Sequence, residues 1–248
     1  MKISVIIPVL NESQNIARTL THLLDIPDVE IIIVDGGSTD NTLNILDFYP
    51  VKVISGKKGR SHQMNTGAKV AEGDILLFLH GDTILPSGWA ELIKQTLLDY
   101  DPHPPTPSDT GEGENSVPHK CEKCYIAGAF ELKIESNLPG LRFIEMMVKV
   151  RSHLLSLPYG DQGIFLRKTT FNQLGGFPEI PIMEDVELIL KLKRLGKIKI
   201  LSECVITSPR RWAKLGVIKT TVINQLIIMG YFGGISPEKL AFWYRNKT

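Results

Sequence analysis

The residues Ile75-Leu76-Leu77-Phe78-Leu79-His80-Gly81-Asp82 are the clearest indication of how this chain folds, because five apolar residues are followed at once by polar ones. A short run that is apolar at every position is typical of a strand buried on both faces. Three similar runs precede it, each followed by apolar residues at helical spacing: Ile3–Ile7, Val29–Val34 and Val51–Ile54. Strands of this kind alternating with helices predict an α/β fold with a mostly parallel sheet and helices on both faces.

The length of 248 residues and the 43% hydrophobic content fit a single domain that spans residues 1–248. Residues 101–124 combine proline, glycine and acidic residues with few apolar ones, which predicts a flexible surface insertion. This insertion separates residues 1–100 from residues 125–212, a half that mixes strands and helices. Two closing helices are predicted in residues 213–248.

The formal net charge of +1 excludes a global field that would gather nucleic acid. Three cysteines cannot form a disulfide framework, so we expect a cytoplasmic protein. Two of them, Cys121 and Cys124, lack the second ligand pair that a zinc site needs. The apolar stretch Val217–Ile235 is interrupted by polar residues and glycines, so no transmembrane span is predicted. Two further possibilities stay open: peripheral contact with the inner face of a membrane, and formation of a homodimer.

Polar residues follow each of the first four predicted strands. The carboxyl ends of parallel strands meet at one edge of a sheet, where ligands commonly bind. These residues are, in strand order, Pro8, Asn11 and Glu12, then Asp35 and Gly37, then Arg60, then His80, Gly81 and Asp82. We therefore predict a ligand site at that edge, although Asp35 and the glycines after it would also serve as a simple turn.

In its motifs and their order the chain resembles glycosyltransferase family 2, which has the GT-A fold. The matching residues are Pro8 with Asn11-Glu12, Asp35 to Asp40, Arg60 with Asn65 and Gly67, Gly73-Asp74, Leu77 to Asp82, Gly175-Gly176-Phe177 and Glu184-Asp185. Asp161-Gln162-Gly163 and Arg210-Arg211-Trp212 are also similar to a subfamily found beside radical-SAM and selenium-related genes.

The resemblance implies an inverting glycosyltransferase that moves a sugar from a nucleoside-diphosphate sugar, with a UDP-sugar favoured, to the hydroxyl of an unknown acceptor. In the family, the second aspartate of an Asp-x-Asp motif binds Mg²⁺ or Mn²⁺, which implies Asp82 here. His80 replaces the first aspartate, and an imidazole at that position suits Mn²⁺ better than Mg²⁺.

The remaining roles are also implied by the resemblance. Asp185 is expected to act as the catalytic base, supported by Glu184, although a carboxylate there would also cap a helix. Asp161, Gln162 and Trp212 are expected to contact the acceptor or a sugar ring. The nucleotide and the donor are assigned to Pro8, Asn11, Glu12, Asp35, Gly37, Arg60, Asn65, His80, Gly81, Asp82, Arg210 and Arg211.

Two alternatives stay open. A non-catalytic descendant of the family would bind a nucleotide without transferring a sugar, and the His80 replacement motivates this reading. A sugar-nucleotide nucleotidyltransferase would also use a parallel sheet and a metal. Its first strand is normally followed by a glycine-rich loop, whereas residues 9–13 here contain no glycine.

Overall fold

The computed structural model describes residues 1–98, 125–136 and 138–247, which form one eight-stranded sheet flanked by helices. The strands are β1 (Ile3–Val9), β2 (Val29–Asp35), β3 (Lys52–Ser55), β4 (Ile75–Phe78), β5 (Thr83–Ile84), β6 (Tyr125–Ile134), β7 (Ile164–Arg167) and β8 (Lys197–Thr207). Their order across the sheet is β3-β2-β1-β4-β7-β6-β8-β5.

The helices cover both faces of this sheet. They are α1 (Ile16–Thr21), α2 (Thr42–Leu46), α3 (Arg60–Val70), α4 (Trp89–Leu98), α5 (Leu141–Leu155), α6 (Lys168–Gln173), α7 (Glu184–Leu195), α8 (Arg210–Leu215), α9 (Val217–Phe232) and α10 (Pro237–Lys247). Buried side chains of α1, α4 and the start of α5 join one apolar cluster, and those of α3, α7 and α9 join the other. The two-layered core confirms the predicted α/β architecture.

The first four long strands pair as predicted. β1 runs parallel to both β2 and β4, and β2 runs parallel to β3. β7 then joins β4 and β6 in antiparallel pairings, while β6 and β8 are parallel. Because β1, β2 and β4 point the same way, the loops after them emerge at one edge of the sheet.

Several local features of the fold were not predicted. Asn15 is the N-cap residue of α1, and its side chain makes no capping hydrogen bond. Strand β8 is continuous from Lys197 to Thr207, and its pairing with β6 shifts register beside Phe130. The short elements β5, α6 and α8 were not predicted, because runs of two to six residues carry little periodicity.

The predicted insertion at 101–124, with Cys121 and Cys124, lies outside the described residues. Within the described ranges, no helix combines the length and apolar character needed to cross a bilayer.

Candidate active site

A cavity of about 290 Å³ opens at the carboxyl edge of the sheet and is closed on its far side by α8, α9 and α10. Nine of the predicted site residues line it, although they come from five separate stretches of sequence. These residues are Arg60, His80, Asp82, Asp161, Glu184, Asp185, Arg210, Arg211 and Trp212. We refer to this cavity as the cleft.

One guanidinium links two carboxylates at the sheet side of the cleft. Arg210 Nη2 lies 3.1 Å from Asp82 Oδ2 and donates a 2.5 Å hydrogen bond to Glu12 Oε1. Burial raises the pKa of Asp82, and the charge of Arg210 opposes that rise. The hydrogen bond to Glu12 in turn raises the pKa of Arg210. Arg210, predicted to contact the diphosphate, is therefore already held by protein carboxylates.

His80 lies at this edge. Burial, together with the positive charges of Arg60 and Arg210, lowers its pKa to about 3, which favours the neutral imidazole near pH 7. A neutral ring nitrogen retains a lone pair that can accept a hydrogen bond or bind a cation.

Asp185 is held in place by the backbone of two elements. Its Oδ2 accepts a 2.6 Å hydrogen bond from the amide of Gly160, and its Oδ1 accepts one of 2.8 Å from the amide of Val186. A Cβ atom on Gly160 would lie 3.2 Å from Asp185 Oδ2 and 3.2 Å from His80 Nε2, so both side chains border the same small space. The absence of a side chain at position 160 allows this approach.

Glu184 precedes Asp185 in the first turn of α7, after Met183 in the left-handed conformation with φ of 69°. Such a backbone conformation is uncommon for a residue other than glycine, and it sets the direction in which the helix begins. Burial raises the pKa of Glu184 to about 7, and the negative charge of Asp185 adds to the rise. Two neighbouring carboxyl groups with different pKa values can serve different functions in one site.

Asp161 lies on the single 3-10 turn Gly160–Gln162. Burial raises its pKa to about 6, and the charge of Asp185 also acts upward while Arg151 opposes both. Its Oδ1 atom is buried and has no hydrogen-bond partner among the described residues.

Gln162 lies behind this turn and is fully buried. Its Oε1 accepts hydrogen bonds from Arg151, Ser152 and the amide of Tyr159, and its Nε2 donates to the carbonyl of Phe130 over 2.8 Å. These contacts use both ends of the amide, so the structure does not support the predicted sugar contact of Gln162. The residue instead fixes the turn that carries Asp161.

Arg211 and Trp212 approach the cleft from α8. The guanidinium of Arg211 lies 4.2 Å from the centre of the Tyr244 ring, and burial lowers its pKa to about 10. Within the described part of the chain, Arg211 Nε and Nη2 and Trp212 Nε1 are buried without hydrogen-bond partners. Buried donors in this state are costly unless a ligand or water satisfies them.

The loop after β2 is outside the lining of the cleft. Asp35 accepts hydrogen bonds from the amides of Gly37 and Ser38, at 2.9 Å and 3.1 Å, which is the turn arrangement that was an alternative to nucleotide binding. Asn11 Oδ1 accepts from the amide of Thr39 over 2.8 Å and joins the loops after β1 and β2.

Three further predicted residues also lie outside the lining. Asn65 exchanges two hydrogen bonds with the backbone of Phe177 and thus attaches α3 to the loop before α7. Pro8 lies within β1, opposite Val34. Gly81 is buried beside Glu12, and its carbonyl accepts a hydrogen bond from Thr19.

Some lining residues were not predicted. Tyr159 reaches the cleft from the loop after α5, and Asn224, Ile227, Ile228 and Tyr244 reach it from α9 and α10. Asn224 is one of the few polar residues in the mostly apolar α9, and this was the available signal. The sequence could not show that α9 and α10 return to the carboxyl edge of the sheet.

Comparison with known proteins relates these features to a family. Residues 4–125 match the family described as Glycosyl transferase family 2. Over this segment the chain belongs to glycosyltransferase family 2. The family 2 segment includes β1 to β4 and contributes Arg60, His80 and Asp82 to the cleft.

One curated relative matches a larger part of the chain than the family model does. Glycosyltransferase AglE of Haloferax volcanii is 33% identical over 187 residues, which cover 71% of this chain and 56% of AglE. The chain spans only 16% to 36% of the length of three other curated glycosyltransferase relatives.

Two solved structures show the same fold. S. aureus TarS 1–349 in complex with UDP superposes with a TM-score of 0.62 and 21% identity, covering 84% of this chain and 60% of TarS. Glucosyl-3-phosphoglycerate synthase of Mycobacterium tuberculosis, with Mn²⁺, UDP and glucosyl-3-phosphoglycerate, gives a TM-score of 0.54 and 22% identity, covering 82% of this chain and 70% of the synthase. The chain therefore has the GT-A fold.

Proposed function

We propose that the protein is an inverting, metal-dependent glycosyltransferase that moves a sugar from a nucleoside-diphosphate sugar to an acceptor hydroxyl. The observation that carries this proposal is the meeting of Arg60, His80 and Asp82 with Glu184 and Asp185 in one cleft. The first three follow strands of the family 2 segment, and the carboxyl pair lies more than a hundred residues later. A transferase needs both sets, because one binds a charged donor and the other removes a proton.

The unsatisfied polar atoms of the cleft support a polar ligand. Asp161 Oδ1 is a buried acceptor, whereas Arg211 and Trp212 contribute buried donors, and none has a partner among the described residues. A sugar ring presents hydroxyl groups that both donate and accept, and a diphosphate presents acceptors only. The guanidinium of Arg211 is therefore suited to the diphosphate, and the Asp161 carboxyl group to a sugar hydroxyl.

The diphosphate is assigned to the cationic side of the cleft, formed by Arg60, Arg210 and Arg211. Departure of the nucleoside diphosphate places negative charge on its terminal phosphate. Guanidinium groups fixed in a partly dehydrated cleft stabilise such developing charge without reorganisation. Glu12 fixes Arg210 in this position, because its carboxylate accepts a hydrogen bond from one guanidinium nitrogen of Arg210. The other guanidinium nitrogens are then held in a fixed direction.

A divalent cation, Mn²⁺ or Mg²⁺, is included in the proposal. The described residues contain no group of three or more His, Cys, Asp or Glu side chains that could hold a metal ion alone. Asp82 and the neutral His80 both border the cleft and provide two ligands, so diphosphate oxygens and water would complete the shell. The ion, when bound, adds positive charge at the leaving group.

Asp185 is assigned as the general base. Its two backbone hydrogen bonds, from Gly160 and Val186, fix the carboxylate at the cleft. The raised pKa of Glu184 lets that neighbour keep a proton near neutral pH, which limits repulsion within the pair. Asp185 then accepts the proton of the acceptor hydroxyl as the oxygen attacks the anomeric carbon, which inverts its configuration.

The nucleotide is assigned to the loops after β1 and β2, with UDP preferred. The TarS and synthase structures described above contain UDP, and the chain shares their fold. Asp35, Gly37 and Asn11 lie on these loops, next to the sheet edge that carries Asp82. The similarity to the radical-SAM and selenium-associated subfamily rests on Asp161-Gln162-Gly163 and Arg210-Arg211-Trp212 and stays part of this proposal.

The direct test is donor turnover. The full chain is incubated with UDP- and GDP-sugars and Mn²⁺, and release of the nucleoside diphosphate is followed with and without a pool of candidate acceptors. We expect release that depends on Mn²⁺ and falls at least about a hundredfold in Asp185→Asn, since an amide cannot accept the proton. Glu238→Gln on α10 is the matched control. Pyrophosphate release from a nucleoside triphosphate and a sugar phosphate, without any diphosphate release from sugar nucleotides, would replace the proposal with a nucleotidyltransferase.

A further inference from the structure

Helices α9 and α10 expose a set of large apolar side chains to solvent. These side chains are Ile218, Val222, Leu226 and Met229 of α9 together with Phe242 and Trp243 of α10. The four on α9 follow one another at intervals of three or four residues, so they lie along one side of that helix. We call these six residues the C-terminal apolar surface.

The opposite side of α9 is already used by the fold. Thr220 and Ile227 are buried, and Ile227 with Asn224 lines the cleft. Helix α9 therefore packs one side against the protein and leaves large apolar side chains of the other side exposed, at 80% for Ile218 and 66% for Met229. A contiguous exposed apolar patch marks a site of contact with a protein or with lipid.

Basic residues surround the exposed aromatic pair of α10. Lys239 lies one turn before Phe242 and Trp243, while Arg245 and Lys247 lie about one turn after them. All three basic residues are exposed. Aromatic side chains beside lysine and arginine are the combination that interfacial helices use, with the rings among acyl chains and the cations at the headgroups.

The C-terminal part of the chain also carries a net positive charge. Residues 213–248, which follow the arginines of the cleft, contain five basic residues and one acidic residue, a net charge of +4, although the complete chain carries only +1. The other residues therefore carry −3 together. Such an asymmetry directs one end of the molecule toward a negatively charged surface and the other end away from it.

Helix α5 offers a useful contrast. It also exposes apolar side chains, including Phe143 and Leu154. Its basic residues, however, are already engaged within the protein: Arg142 pairs with Glu145, Lys149 pairs with Glu131, and Arg151 donates a hydrogen bond to Gln162. Apolar exposure alone does not identify a partner, and the positive charge singles out the C-terminal surface.

We propose that the C-terminal apolar surface docks the protein on an anionic lipid bilayer, with α9 and α10 lying in the plane of the headgroups. Phe242 and Trp243 enter the acyl region, and Lys239, Arg245 and Lys247 contact anionic headgroups. Because α9 also lines the cleft, docking brings the cleft to the membrane surface. The inference does not depend on the proposed transfer reaction, since it concerns lipid binding without nucleotide.

The test is co-sedimentation of the full chain, without nucleotide or metal, with vesicles of phosphatidylcholine alone or of equal parts phosphatidylcholine and phosphatidylglycerol. We expect binding to the anionic vesicles and little binding to the neutral ones. The triple variant Lys239→Gln, Arg245→Gln, Lys247→Gln should bind the anionic vesicles about a hundredfold more weakly, from roughly fivefold for each charge. The double variant Phe242→Ser, Trp243→Ser should lose at least about tenfold.

Matched controls come from exposed residues outside α9 and α10. Phe48 is 86% exposed after α2, and Phe48→Ser should leave vesicle binding unchanged. The substitutions Lys52→Gln, Lys69→Gln and Lys133→Gln should cost far less than the triple variant on α10, although they remove the same charge. Circular dichroism melting of every variant checks that folding is retained, as expected for exposed positions.

Three outcomes would overturn the proposal. The first is equal binding to neutral and anionic vesicles, and the second is equal loss in the Phe48 control and the α10 variants. The third is a dimer that Phe242→Ser, Trp243→Ser dissociates, with no vesicle binding by the wild type, which would assign the surface to a second copy of the chain.

Discussion

The carboxyl pair at the start of α7 makes the stability of the protein depend on pH in a way that one substitution should remove. Burial and the charge of Asp185 raise the pKa of Glu184 to about 7, from an ordinary value of 4.5. The folded state therefore holds a proton that the unfolded chain releases at a lower pH. Between these two pKa values, the free energy of unfolding must fall as the pH rises.

The magnitude follows from the separation of the two pKa values. At about 1.4 kcal/mol for each pKa unit, ionisation of Glu184 costs the folded state roughly 3 kcal/mol at high pH. Between pH 5 and pH 8 the wild type should lose about 2–3 kcal/mol through this group. Glu184→Gln keeps the shape without the ionisation, so its stability relative to the wild type should rise by that amount over the same range.

Urea unfolding at pH 5, 6.5 and 8 measures the effect, with Glu238→Gln on the exposed side of α10 as the control. Removal of the neighbouring charge by Asp185→Asn should lower the folded-state pKa of Glu184 and make the loss of stability smaller, because Asp185 opposes ionisation of Glu184. If wild type and Glu184→Gln show parallel pH profiles, Glu184 is not a buried carboxyl group beside Asp185 and the description of the pair is incorrect.

Three further predictions concern positioning. Gly160→Ala places a Cβ 3.2 Å from both Asp185 Oδ2 and His80 Nε2. It should reduce kcat about tenfold or more while Tm changes little. An unchanged kcat would contradict the role of Asp185. Glu12→Gln removes one of the two carboxylates that hold Arg210 and should raise the KM for the donor several-fold, and an unchanged KM would place Arg210 outside donor binding. Gln162→Leu leaves the buried partners of the amide without hydrogen bonds and should lower the free energy of unfolding by about 2–4 kcal/mol. An unchanged free energy of unfolding in urea would contradict the hydrogen-bond network.

The sheet was predictable because fully apolar runs such as Ile75 to Phe78 identify buried parallel strands without knowledge of tertiary structure. The same argument predicted that His80 and Asp82 would meet Arg60, since parallel strands end at a common edge. Both predictions concern local sequence and a general property of sheets, which is why the sequence was sufficient.

The hydrogen bonds of Asp35, Asn65 and Gln162 could not be predicted in this way. Each is a polar residue near a strand end or a glycine, but in the structure each satisfies nearby backbone or buried groups instead of lining the cleft. A polar side chain can serve either purpose, and the choice depends on distances that only the folded chain defines. The contribution of Asn224 and Tyr244 was missed for a related reason, because it requires the path of the C-terminal helices over the sheet.

The most direct test of the central claim is the thermal stability of the protein with nucleoside diphosphates. The cleft should bind a nucleoside diphosphate, so UDP or GDP with Mn²⁺ should raise the Tm of the wild type. Asp82→Ala should lose the part of the rise that needs Mn²⁺, and Arg60→Ala should reduce what remains. A wild-type melting curve that stays unchanged with every nucleoside diphosphate, with and without Mn²⁺, would contradict the assignment of this cleft to a sugar nucleotide.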